Sequence, residues 1–209
     1  MFFGSSITSM VATLLAVLMA ITFHETAHGF VAYKLGDPTA KNQGRLTLNP
    51  LAHLDPIGAL LMLVAGFGWA KPVPVNPFYF NGDRNKGMML VSIAGPATNL
   101  MLSFAAYFIY VAGNGFMTIP FVNTFLYYCI TLNIYLAIFN LIPIPPLDGS
   151  KILAGFLPKA TAYQYLNTVE KYGFLILMVL ILLNITDLFL VPIANAVLSL
   201  FSFLLGLIF

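Results

Sequence analysis

Charge is what this chain lacks most. Only 8% of its 209 residues are Asp, Glu, Lys or Arg, against roughly a quarter in soluble domains. With 60% hydrophobic residues and a mean hydropathy of +0.92, an ordinary water-soluble domain is excluded. No long polar stretch is available for a second domain, so residues 1–209 read as a single membrane-embedded unit. The nine Lys and Arg are dispersed rather than gathered on a face, which argues against a nucleic-acid partner. One cysteine, Cys129, rules out a disulfide within the chain and reads as a packed thiol in an apolar run. Basic residues are absent from Met1 to Ser9 and no small-residue cleavage site follows, so the first apolar run is expected to be retained rather than removed as a signal peptide. Internal repeats and low-complexity tracts are absent as well.

What is present is a series of apolar runs. A helical crossing needs about 20 residues at about 1.5 Å each. By that measure the clear spans are near residues 8–33, 88–112, 121–143 and 188–208, with a further one at 162–186. The expected fold is therefore an all-α polytopic membrane protein of five to six transmembrane helices. Pro56 to Ala70 differs: a helix there reaches only about 22 Å, short of the hydrocarbon core of about 30 Å, and Gly58, Gly66 and Gly68 interrupt it. A re-entrant segment fits better than a crossing. It also leaves all nine basic residues on one side, which the positive-inside rule makes cytoplasmic, with the N-terminus outside. Next comes Lys71 to Phe80, where Pro72, Pro74 and Pro77 exclude a stable helix. A short β-like hairpin or edge near residues 71–80 is expected, with Val73 and Val75 as candidate substrate contacts; an interfacial proline-rich loop is the alternative.

The first span ends in Thr22-Phe23-His24-Glu25-Thr26-Ala27-His28-Gly29. HETAH fits H-E-x-x-H, which on a helix puts two imidazoles four residues apart on one face, where both can bind one zinc. Glu25 then stands beside the open coordination position, where a carboxylate can take a proton from water. Ionisable groups are rare at membrane depth unless paired or metal-bound, and this chain has only three histidines and two glutamates. A third ligand must come from His53 or from Asp37, Asp55, Asp83, Asp148, Glu170 and Asp187. Asp148 stands out in Asn140-Leu141-Ile142-Pro143-Ile144-Pro145-Pro146-Leu147-Asp148-Gly149, where prolines break a span close to membrane depth. By itself an Asp-Gly after prolines reads as a turn; paired with HETAH, a ligand role is the better reading.

Together these motifs resemble the site-2 protease family of intramembrane zinc metalloproteases. The matching residues are HETAH at His24 to His28 and N-x-x-P-x-P-P-L-D-G from Asn140 to Gly149. Support comes from Gly95-Pro96-Ala97-Thr98-Asn99 and from Leu48-Asn49-Pro50-Leu51-Ala52-His53-Leu54-Asp55-Pro56. The resemblance covers nearly all the chain but leaves no room for a PDZ or CBS domain. It implies one zinc per chain held by His24, His28 and Asp148, Glu25 as catalytic acid/base, and the proline-rich stretch after Lys71 as the edge that receives substrate. A catalytic core near 8–158 and C-terminal helices near 162–209 are expected.

Three residues keep two readings. His53 is either a hydrogen-bonded interfacial histidine or an accessory beside the zinc. Asn140 either caps or bridges helices, or donates its amide to a developing oxyanion. Asn99 either bonds between closely approaching helices or touches substrate. The expected activity is hydrolysis of peptide bonds within or beside the bilayer, on a transmembrane protein or peptide. The enzyme is expected to be multi-pass in the cell membrane, with its site towards the cytoplasmic side. A metal transporter is the rival, but it needs ligands in series across the membrane, and the spans carry almost no other ionisable groups. A zinc-keeping scaffold needs a fourth ligand, which would have to be His53.

Overall fold

A computed structural model describes residues 6–65, 68–113 and 119–207. It is built almost wholly of helices: α1 (Ile7–Lys34), α2 (Thr39–Asn42), α3 (Pro56–Ala65), α4 (Arg84–Ala112), α5 (Pro120–Asn140), α6 (Asp148–Phe156), α7 (Lys159–Leu182) and α8 (Asp187–Gly206). Five of them, α1, α4, α5, α7 and α8, are long and apolar enough to span a membrane, as the apolar runs require.

Local chemistry sets the helix boundaries. Ser6 and Ser9 form a capping box at the start of α1. Asp83 accepts from the backbone N–H groups of Asn85 and Lys86 at 2.9 and 3.1 Å and so caps α4. Pro120 opens α5 at a position where a missing N–H costs nothing. Gly36, with φ 108°, turns the chain out of α1.

The core is a three-helix unit of α1, α4 and α5. Ala12, Ala16 and Ala20 follow one another at four-residue spacing on α1 and are 0%, 0% and 2% exposed, so neighbouring backbones approach closely along that face. Leu126, Cys129, Ile130, Ile134 and Ile138 of α5 complete the packing, and Leu190, Ala194 and Phe201 add α8 to it. The Phe201 ring lies 5.0 Å from Phe104 and 6.2 Å from Tyr107, towards the end of α4, and Leu190, earlier on α8, is buried in the same cluster; a reversed α8 would carry Leu190 past the end of α4, so α8 runs in the same direction as α4. By contrast α7 packs chiefly on α6. The Tyr165 hydroxyl donates to the Pro143 carbonyl, Gly173 sits against the Pro145 backbone, and Lys159 pairs with Asp83 at 3.0 Å.

Within the expected re-entrant stretch, α3 has ten residues and spans about 15 Å. Residues 66 and 67 lie outside the described residues. Its two flanks meet: Leu54 bridges Ala70, and the Lys71 N–H donates to the His53 carbonyl at 2.9 Å. A side chain at Gly58 would run into the Trp69 backbone, which explains a glycine inside this helix.

The hairpin expected near residues 71–80 does not form. Residues 71–76 belong to no strand, a 3-10 turn follows at Pro77–Tyr79, and the isolated Leu54–Ala70 bridge is the only β pairing among the described residues. The reason is where the donors go. Pro72 and Pro74 have none, the Val73 N–H donates to Glu25 at 2.7 Å, and the Asn76 N–H donates to the wholly buried Asp37 at 2.6 Å. Side chains hold this segment in place of a β ladder.

Candidate metal centre

Helix α1 presents His24 and His28 one turn apart, 5% and 8% exposed, with ring centroids 4.6 Å apart in an edge-on arrangement. Asp148 comes to them from far along the chain. Its Oδ2 lies 3.2 Å from Nε2 of His24 and 3.2 Å from Nε2 of His28, and the three potential ligand atoms fall within 4.8 Å of one another. Among the described residues this is the one such cluster of His, Cys, Asp and Glu.

The turn before α6 accounts for the position of Asp148. Gly149 packs so closely that an added Cβ would collide with the Leu141 carbonyl, tying the start of α6 to the end of α5. Ser150 closes the turn, its hydroxyl donating to the Leu147 carbonyl at 2.7 Å. At the first turn of α6 the carboxylate also meets the positive end of the helix dipole. Burial disfavours its charged form, but hydrogen bonds and charge from His24 and His28 outweigh that and hold its carboxyl well below the usual carboxylate range.

Both imidazoles are oriented from behind. The Nδ1–H of His28 donates to the Val91 carbonyl at 2.7 Å. The Nδ1 of His24 lies 2.5 Å from Asn99 Oδ1, while the Asn99 Nδ2 donates to the Ala20 carbonyl at 3.1 Å and to Asn133 Oδ1 at 2.7 Å. Each ring thus spends its Nδ1 on the protein and aims its Nε2 at the space beside Asp148, where a bound metal would take the Nε2 lone pair. Gly95 leaves the opposite side open: a Cβ there would stand 2.5 Å from His28 Nε2 and 2.6 Å from His24 Nε2. Two imidazole nitrogens, one carboxylate oxygen and a kept space suit a zinc with three protein ligands and an open position.

The other expected site residues divide. Glu25, on the next step of the same helix, accepts the Val73 N–H at 2.7 Å, and Val73 packs into the α1 face at Gly29. Val75 is half-buried in the same extended segment. Asn99 bonds between closely packed helices, its oxygen facing His24 and its N–H groups engaged by the Ala20 carbonyl and Asn133 Oδ1. Asn140 turns its amide back onto α5, donating to the Leu136 carbonyl at 3.0 Å, and does not join the cluster. His53 lies outside the cluster as well. It is fully buried, with Nε2 donating to the Thr47 carbonyl at 2.8 Å, a carbonyl that also accepts the Thr26 hydroxyl at 2.7 Å. His53 therefore fastens its loop to the motif-bearing turn of α1. Sequence reasoning did not single out Asn133 or the Val91 carbonyl, and it had Asp37 only among the possible third ligands. An amide well inside an apolar span, away from its ends, was the available signal for Asn133.

Comparison with known proteins decides the family. Residues 116–184 match the profile of Peptidase family M50. A Bacillus subtilis (strain 168) protein named "Putative zinc metalloprotease YwhC" is 44% identical over 198 residues, covering 90% of each chain. The chain belongs to peptidase family M50. Other relatives are more distant. A Methanocaldococcus jannaschii protein, MJ0611, is 31% identical over 150 residues, covering 71% of this chain and 72% of its own. Rip2 of Mycolicibacterium smegmatis is 29% identical over 181 residues, covering 79% and 64%. Both carry zinc metalloprotease names. No solved structure matches. This M50 member is accordingly a zinc metalloprotease of a multi-pass membrane type, with Zn2+ as its expected cofactor.

Proposed function

We propose that this M50 protein hydrolyses peptide bonds within or next to transmembrane segments of other membrane proteins, with His24, His28 and Asp148 as zinc ligands and Glu25 as general acid and base. The observation that carries the reading is the convergence of the Asp148 carboxylate on both imidazoles, 3.2 Å from each, inside a bundle of apolar helices. Zinc bound there supplies a Lewis acid and lowers the pKa of water towards 7. Glu25 removes the proton from the attacking water and returns it to the leaving amine. Its carboxylate is held for that task by the Val73 N–H.

The extended segment beside Glu25 serves as the substrate edge. Val75 keeps a backbone N–H without a partner among the described residues, while Pro72 and Pro74 offer none and Val73 and Asn76 are engaged. A peptide laid along this edge pairs with the Val75 N–H and the neighbouring carbonyls. That pairing offsets the helical hydrogen bonds the substrate gives up on unwinding. The paired flanks of α3 favour a re-entrant element that leaves the bilayer on the side it entered. All basic groups then lie on the cytoplasmic side, as does the HETAH end of α1.

Glu25→Gln tests the proposal in the reconstituted protein with a single-span substrate. Cleavage is expected to fall by about 10²- to 10⁴-fold while zinc content stays at the wild-type level. Cleavage at the wild-type rate would sink the assignment of Glu25 and the hydrolytic reading with it.

A further inference from the structure

Asp37 has no part in the metal cluster, yet it is a wholly buried carboxylate in the turn that leaves α1. Burying such a group is costly unless donors meet its oxygens. Its Oδ1 accepts the Thr39 N–H at 2.9 Å and also the Thr39 hydroxyl, so one side of the carboxylate serves a local turn. The other side reaches further: Oδ2 accepts the Asn76 N–H at 2.6 Å, in the extended segment beside Glu25. No basic side chain among the described residues forms an ion pair with Asp37, so these donors hold it in place of a countercharge.

The bond to Asn76 has no substitute nearby. Pro74 and Pro77 have no N–H, and Phe78, Tyr79 and Phe80 donate within the 3-10 turn, to Asn76 Oδ1, the Asn76 carbonyl and the Pro77 carbonyl. Among the described residues, Asn76 therefore has the one backbone N–H between Pro74 and Phe80 that ties this stretch to another element; the next is Asn81, past the turn, on the Leu35 carbonyl at 2.8 Å. The other end is held twice, the Lys71 N–H by the His53 carbonyl at 2.9 Å and the Lys71 carbonyl by Arg45 Nη2 at 2.7 Å. Val75 also packs on the cluster of Ala32, Phe80 and Val91, but apolar contact is non-directional and does not set the angle of a peptide plane. Glu25 on Val73 and Asp37 on Asn76 thus bracket Pro74 and Val75, and both anchors come from α1 and the turn that continues it.

We infer that Asp37 is a positioning residue for substrate capture: by fixing the backbone at Asn76 it presents the neighbouring Val75 N–H to an incoming extended peptide in one orientation. The inference rests on the reading of this segment as the substrate edge. It divides the segment's duties. Val73 serves Glu25 and hence the chemical step, while Asn76, through Asp37, serves binding. A carboxylate is required because both oxygens must accept; an amide at this position keeps its oxygen for the two Thr39 donors and sets its NH2 against the Asn76 N–H.

The test measures cleavage of a single-span peptide by the full chain, loaded with zinc in lipid nanodiscs, with KM and kcat separated. In Asp37→Asn, KM is expected to rise by about 10-fold while kcat stays within about threefold and zinc content does not change, the mark of binding lost equally from ground and transition states. The same peptide, carrying a fluorophore and bound to the Glu25→Gln protein, should lose affinity by a like factor when Asp37→Asn is added. Thr39→Val deletes a donor to Oδ1 but leaves the Asn76 bond, so its KM is expected within about twofold of wild type; a rise equal to that of Asp37→Asn would assign the effect to the turn and overturn the inference. Asp37→Ser, whose hydroxyl can serve Thr39 but not Asn76, gives the same reading if Asp37→Asn does not fold. Val75→Pro deletes the pairing donor itself and is expected to raise KM at least as much. A KM raised in Val75→Pro but unmoved in Asp37→Asn, or a kcat that falls in Asp37→Asn with KM unmoved, overturns the role of Asp37 alone. A KM unmoved in Val75→Pro overturns the edge reading beneath it.

Discussion

The carboxylate of Glu25 accepts the backbone N–H of Val73 at 2.7 Å, which joins the motif on α1 to the extended segment that follows α3. A hydrogen bond to an ionised group is worth about 1.5–3 kcal/mol. Val73→Pro removes that donor alone from the Glu25 contact, in a segment whose neighbours at 72 and 74 are already prolines. Peptide cleavage is expected to fall by roughly 10- to 100-fold, since a mobile general base is a poor one. Val73→Ala keeps the N–H and removes the packing against Gly29, so its kcat should lie much nearer the wild type. Equal losses in the two variants would show that packing, and not the hydrogen bond, positions Glu25.

Gly95 is the second position where a single atom decides the outcome. In Gly95→Ala the new methyl would stand 2.5 Å from His28 Nε2 and 2.6 Å from His24 Nε2, in the space a metal requires. Alanine is about 1 kcal/mol better than glycine in a helix, so α4 itself should not suffer. Zinc content measured on the purified variant is expected to drop close to zero while the apoprotein keeps its helical circular dichroism. Full zinc loading would place the metal elsewhere.

The parts of the site that were legible in the sequence are those whose residue type is itself the chemistry. His24, Glu25 and His28 announce themselves at helical spacing, and Asp148 follows from the prolines that break a span before it. What holds them was not legible. The Val91 carbonyl is the same atom in every residue, and Gly95 stood within a quoted motif without its own reason until the rings were seen to face it. The proline-rich stretch was read correctly as non-helical, but its donors go to Glu25 and Asp37, partners that only the tertiary fold supplies. Asn99 and His53 show the same limit: each could be recognised as a buried polar group needing partners, while the partners lie on other elements.

Asp83 links α4 to α7, and its protonation should be visible in stability. The Lys86 backbone N–H first, then the Lys159 side chain, hold its carboxyl below the ordinary aspartate value. A depressed pKa means that the ionised form stabilises the folded state above the unfolded value, and that this is lost as pH falls through the folded one. Asp83→Asn keeps a side-chain oxygen for the cap but loses the charge. At pH 7 the variant is expected to melt at a lower temperature than the wild type, and the gap to close as pH drops below about 4. Thermal melts at the two pH values check this; a gap that persists in acid would assign the effect to the cap rather than the charge.

The direction of α8 bears on how many of the five apolar helices cross the membrane. Phe201 sits against Phe104 and Tyr107, so the end of α8 lies level with the end of α4. Lys159, at the start of α7, pairs with Asp83 at the start of α4. For α7 to begin there and hand the chain to an α8 that runs parallel to α4, it must start and finish on the same side. Glu170 and Lys171, exposed and halfway along α7, agree: a crossing would put both at the bilayer centre, where unpaired charges are expensive. We therefore expect α1, α4, α5 and α8 to cross and α7 to lie along the cytoplasmic interface. Cys129 is buried, so engineered cysteines can be labelled against a quiet background. A membrane-impermeant maleimide should reach Leu207→Cys from outside intact cells and reach Lys159→Cys only after permeabilisation. Labelling of both positions only after permeabilisation would mean that α7 crosses as well.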